Sequence, residues 1–130
     1  MTTTGTRKVK SETPWELYAI ALDERKSTDE IDRRQACEKS WLAMVKAVDL
    51  YLSSNGYHVQ VVTADAHVQR KEFLNKLAAK DMTARRVSNL MSEITENLHG
   101  TCFYAGKDSP HIDIILNEDV KEILELSGCD

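Results

Sequence analysis

His99 and the residues that can reach it offer the chain's most plausible chemistry. Four histidines occur, His58, His67, His99 and His111, and imidazole is the side chain whose charge changes near neutral pH. His58 and His67 fall in or beside a loop, where solvation is the default. His99 directly precedes Gly100 and adjoins Leu98, a member of an apolar stripe. One residue is a step of about 100° around a helix, so His99 should lie on the flank of the buried face. There it can satisfy one ring nitrogen internally and present the other to a ligand. Glu96 to His99 forms a Glu-x-x-His step, but a diiron bundle needs a second copy and none is present. No metal or cofactor is expected. Nucleotide loops, zincin motifs and hydrolase elbows are absent as well.

Charge is unevenly spread over the 130 residues, whose net charge is −4. From residue 70 to 86, six basic residues (Arg70, Lys71, Lys76, Lys80, Arg85, Arg86) face two acids, and from 108 to 130 seven acids face Lys121 alone. The basic stretch is the one candidate nucleic-acid patch. On an acidic chain it predicts weak, salt-sensitive, sequence-tolerant RNA binding at most; the alternative is two solvated helix faces. Cys37, Cys102 and Cys129 are odd in number and lack a CxxC pair. With no export signal, they read as free, inert thiols in a reducing cytoplasm.

The elements that must position these residues are helices. Two prolines and five glycines punctuate the whole chain, too few for many short strands, and no apolar run spans a membrane. Residues 1–12 read as a disordered tail and 13–130 as a single domain. Thr13-Pro14-Trp15-Glu16 starts a first helix, ending near Lys26, with Trp15, Tyr18, Ala19 and Leu22 inward. Ser27 or Thr28 caps a second, the spine. It carries Cys37, Trp41, Met44, Val48 and Tyr51 at 4-3-4-3 spacing, with Val45 and Leu52 beside them, and it stops at Asn55-Gly56. Its opposite face holds Arg33, Lys39, Lys46 and Asp49.

Residues 57–64 are a strand or a packed loop. A third helix spans about 66–80, with Phe73, Leu74, Leu77 and Ala78 inward. Thr83 caps a fourth with Val87, Leu90, Met91, Ile94, Leu98 and Cys102 inward. His111 to Leu116 alternates like a strand or loop, and Asn117 caps a short closing helix. The expected fold is all-α, an antiparallel up-and-down four-helix bundle with a short fifth C-terminal helix.

Arg34-Gln35-Ala36-Cys37-Glu38-Lys39-Ser40-Trp41, followed by Ala43 and Ala47, resembles the second-helix signature of the archaeal PaREP-type family. Asn97-Leu98-His99-Gly100 with Phe103-Tyr104 resembles its fourth-helix pattern, and Asn117 to Leu126 its closing helix. The likeness covers most of residues 14–126. That family belongs to the HEPN superfamily, whose members are helical bundles that usually form homodimers. Some are metal-independent RNases and others are partners of minimal nucleotidyltransferases.

The resemblance implies a ligand-binding or interface set of Glu38, Lys39, Trp41, Asn97, His99, Phe103 and Tyr104. Its catalytic motif places an Arg roughly four to six residues before the His. No Arg stands between Glu93 and Leu98, and the nearest are Arg85 and Arg86. The expectation is therefore a cytoplasmic, homodimeric, HEPN-like binding or regulatory module. Its alternatives are a divergent HEPN ribonuclease using His99 with a non-standard cation such as Arg86 or Lys39, and a nucleotide-binding partner of a nucleotidyltransferase.

Overall fold

A computed structural model describes residues 12–60 and 64–128; residues 1–11 of the expected tail, residues 61–63 of the expected strand or loop, and Cys129 lie outside them. All regular structure among the described residues is helical. Helix α1 is Pro14–Arg25, α2 Glu30–Ser54 and α3 Ala66–Ala78. Helix α4 is Met82–Ile94 and runs directly into a π-helical segment, Thr95–Tyr104. Helix α5 runs from Pro110–Ile114 through a π-helical turn, Ile115–Asp119, to Val120–Leu126.

Local chemistry sets the starts. The Thr13 side chain accepts from the Glu16 amide while Glu16 reaches back to the Thr13 amide, a reciprocal box with Pro14 at the first position. Two caps differ from the expected residues. Asp29, rather than Ser27 or Thr28, accepts from the amides of Ile31 and Asp32, and Asp81, rather than Thr83, caps α4. In both cases a carboxylate outcompetes a hydroxyl because it also complements the helix dipole.

Residues 111–116 are neither strand nor loop. Pro110 starts a helix through them, and Asn117 lies inside it with its amide on the Asp113 carbonyl. The apparent alternation was a short sample of a helical stripe, since Ile112, Ile115, Leu116, Val120, Ile123 and Leu124 are all buried. The closing helix is therefore longer than α1. Residues 57–60 have no regular structure.

Side-chain pairings give the directions. Arg34 meets residues 103 and 104, Glu38 meets His99, and Trp41 meets Thr95, so α2 and α4 are antiparallel. Lys39 bonded to Glu24 makes α1 and α2 a hairpin, and Arg86 bonded to Glu122 sets α4 against α5. The core draws Leu17, Met44, Leu74, Met91 and Ile123 from all five helices, each fully buried.

Helix α2 is buried on two sides. Beside the expected stripe lies a second row of small residues, Ala36, Ser40, Ala43 and Ala47, all at 0% exposure. Its supposed solvent face is largely paired: Lys39 to Glu24, Arg33 to Asp108, and Asp49 to Arg70. In α1 the inward row is Leu17, Tyr18, Ala21 and Arg25, while Ala19 is exposed and Trp15 and Leu22 are only partly buried. Apolar residues surround that short helix, so periodicity alone misplaced its face.

Candidate functional site

The site lies where α2 faces the π-helical end of α4. A π turn takes more residues than an α turn, so successive side chains are separated by less than 100°. Leu98 and Cys102 can then point into the core while His99, between them, still leans toward α2. The Thr101 hydroxyl donates to the Glu96 carbonyl, holding the wider turn.

His99 stacks on the Trp41 indole, with ring centroids 3.9 Å apart and planes at 19°. Its Nδ1 is 2.7 Å from Glu38 Oε1. In the neutral imidazole, with the carboxylate accepting, Nδ1 carries the proton and Nε2, which pairs with no described residue, is left as the acceptor. The Trp41 indole N–H donates to the Thr95 hydroxyl at 3.1 Å, fixing the plane on which His99 rests. The Tyr104 ring stands edge-on to the imidazole at 4.8 Å, and Phe103 lies 6.4 Å away. His99 and Glu38 keep 25% and 18% of their side-chain surface, so the pair is sheltered but reachable.

The structure thus brings Glu38, Trp41, His99, Phe103 and Tyr104 together. It separates Lys39, which turns to Glu24 at 2.6 Å, and Asn97, whose amide bonds to the Glu93 carbonyl. Trp41 is half-buried, at the edge of the core rather than inside it.

The basic stretch is divided. Arg70 is 6% exposed and holds Asp49 through Nε at 2.6 Å and Nη2 at 3.0 Å, so it is a buried structural cation and no part of a surface patch. Arg86 grips Glu122 with two bonds, raising its own pKa and lowering that of the carboxylate. Lys71 bonds to Ser92, and Lys76 sits over the Phe73 ring. Arg85 lines an open groove of about 330 Å³ with Asn75, Ser88 and Asn89. Lys80 is exposed at the end of α3.

Several participants were not singled out from sequence. Lys71 meets Ser92 across α3 and α4, and His67, one turn earlier on α3, lies toward the His99 end of α4. The His67 pKa is lowered by burial first, then by Arg70, Lys71 and His99.

Arg34 donates through Nε to the Phe103 carbonyl at 3.0 Å and through Nη2 to the Tyr104 carbonyl at 3.2 Å, satisfying the open end of the π segment. Gly106 makes this possible: its φ is +68°, and a Cβ there would lie 3.2 Å from Arg34 Cζ.

Cys37 and Cys102 form a disulfide, overturning the reading of both as free thiols. They sit 65 residues apart, and only the facing of α2 and α4 reveals the pair. Arg25, 6% exposed, bonds to Asp108 and to Asp113 at 2.7 Å, and its Nη1 lies 3.7 Å and 4.0 Å from the two sulfurs. Its spacing from Tyr18 and Ala21, seven and four residues, was the sequence signal that it faced inward.

Among the described residues no group of three or more His, Cys, Asp or Glu could hold a metal ion, and no helix is long and apolar enough to cross a membrane. Comparison with family models, with curated proteins and with solved structures gives no match.

Proposed function

We propose that the chain is a HEPN-like, homodimeric binding or regulatory module whose ligand is a nucleotide or single-stranded RNA contacted at His99. The observation that carries this reading is the Glu38–His99 contact on the face of Trp41. It fixes the imidazole and leaves Nε2 directed away from its carboxylate partner. A nucleobase offers the matching donor edge, and Tyr104, 67% exposed, offers a ring on which a base can stack. The helical fold and the antiparallel α2–α4 pairing are compatible with a HEPN-like four-helix arrangement with α5 added.

Self-association is supported by two exposed apolar side chains at this end of the molecule. Ile31, 69% exposed, lies one turn before Arg34, and Arg34 binds the Tyr104 carbonyl. A second copy covering both would also enclose the His99 site.

A second reading, a divergent metal-independent ribonuclease, is favoured by the same contact. A carboxylate that orients an imidazole is the arrangement a general base needs. Among the described residues no arginine joins it to stabilise a phosphorane: Arg34 is committed to backbone carbonyls and Arg86 to Glu122. Binding without cleavage is therefore the stronger reading. A partnership with a nucleotidyltransferase would use the same nucleotide contact.

The test is incubation of the protein with fluorescent single-stranded RNA in EDTA. Binding that weakens with salt and is lost in His99→Ala, with the RNA intact, supports the module. Cleavage lost in His99→Ala replaces it with the ribonuclease. Equal binding by wild type and His99→Ala removes the site.

A further inference from the structure

We propose that the Cys37–Cys102 disulfide is a redox latch on the His99 site, opened by a cellular dithiol. The inference rests on the site reading above only for what the latch controls. Its own support is positional and electrostatic.

Cys37 immediately precedes Glu38, and Cys102 lies in the π-helical segment three residues after His99. The covalent link therefore fixes the two backbones that hold the carboxylate and the imidazole 2.7 Å apart. The other direct ties between α2 and this segment at the site are non-covalent: the Trp41–His99 stack, Trp41 to Thr95, and Arg34 to the carbonyls of Phe103 and Tyr104.

The second observation is Arg25. Its guanidinium lies against both sulfurs in a nearly closed environment, held there by Asp108 and Asp113 from the other side. A fixed cation beside a cystine favours the thiolates released on reduction, which stabilises the reduced state relative to an apolar setting. Cys37 and Cys102 are 0% and 1% exposed, so exchange requires local opening.

In the step, a dithiol thiolate attacks one sulfur, forming a mixed disulfide as the Cys37–Cys102 bond breaks and the other cysteine leaves as a thiolate. The second thiol of the dithiol then releases the attacked sulfur and the dithiol leaves as its own disulfide. Two electrons and two protons pass to Cys37 and Cys102, and nothing else is consumed. The core and the Arg25–Asp108–Asp113 cluster persist, while α2 and the π segment lose their covalent register. Glu38 and His99 then separate, and the Trp41 stack loosens.

The experiment titrates the intact protein through a reduced and oxidised dithiothreitol buffer. It follows thiol content, helix content, and the NMR signals of the Trp41 indole N–H (assigned with Trp15→Phe) and the His99 ring. The expected result is a reversible shift of both signals in step with reduction, with helix content retained. The double variant Cys37→Ser/Cys102→Ser should show the reduced-state signals at every ratio. Arg25→Gln should need a reduced-to-oxidised ratio about tenfold higher for half reduction, whereas Arg25→Lys, which keeps the charge, should need less of an increase.

Signals unchanged on reduction would overturn the latch, as would loss of helix in step with thiol release. An unshifted midpoint in both Arg25 variants would overturn the role of the cation, and with it the proposal. Because none of these readouts uses RNA, equal RNA binding by wild type and His99→Ala would remove the site reading and leave the latch standing, and failure of the latch would leave the site reading standing.

Discussion

Replacing Arg25 with methionine measures what a nearly buried cation contributes to this fold. The Arg25 side chain is 6% exposed, but its partners Asp108 and Asp113 keep 37% and 41% of their side-chain surface. Removing one member of a fully buried pair costs roughly 3–5 kcal/mol because the other charge is stranded. Here both carboxylates can rehydrate, and Arg33 stays on Asp108 through Nε at 2.9 Å. Methionine also keeps most of the apolar contact of the arginine stem. The expected loss is therefore about 2–3 kcal/mol near neutral pH.

The pH dependence makes the argument sharper. Burial by itself raises the Asp108 pKa, but hydrogen bonds and charge from Arg25 and Arg33 outweigh it and hold the carboxyl below its ordinary value. A carboxyl depressed by folding adds stability that is fully present above its unfolded pKa and is lost as pH falls through the folded one. Urea unfolding from pH 7 down to about 2 should thus show the wild-type and Arg25→Met curves converging in acid. A gap constant across that range, or one under about half a kcal/mol at pH 7, would refute the electrostatic account of Arg25.

Three further outcomes follow from particular contacts. Trp41→Ala should cost about 2–3 kcal/mol, less than a fully buried tryptophan, because the indole is half-buried yet carries the His99 stack; denaturant midpoints check it, and a loss above about 4 would mean it lies deeper. Gly106→Ala should lower stability by about 1–2 kcal/mol, since it forces a side chain to φ +68° and against Arg34; a thermal midpoint no lower than wild type would contradict that. Asp119 is raised above its ordinary pKa by burial and then by Glu93, so its charged form opposes folding above that raised value and the opposition fades as pH falls through it. Asp119→Asn should therefore raise the thermal midpoint near neutral pH and lose that advantage in acid. A lower midpoint at neutral pH would contradict the assignment.

The helical reading was legible because long periodic runs encode it. The stripe from Val87 to Cys102 is buried as its spacing indicates, and the Thr13-Pro14-Glu16 start is present atom for atom. What sequence hid was long-range. Nothing local distinguishes Arg70 on a surface from Arg70 buried against Asp49, because burial depends on the helix opposite. The Cys37–Cys102 bond depends on α2 and α4 lying antiparallel in one register. His99 was placed on a helix flank by a 100° rotation, but its contact with Glu38 also required the π-helical turn, which has no dependable sequence signal. Glu38 and Lys39 were adjacent and looked like one feature, yet neighbouring residues on a helix face different partners.

The most direct test of the central claim is a long-range proton–nitrogen NMR spectrum of His99 during titration with a short single-stranded RNA. The account predicts that His99 starts with its proton on Nδ1, hydrogen-bonded to Glu38, and with Nε2 as the bare nitrogen. Added RNA should then shift Nε2 first, with Nδ1 still bonded to Glu38 and the RNA uncut. A proton resident on Nε2 in the free protein, or saturating RNA that leaves both ring nitrogens unmoved, would contradict it.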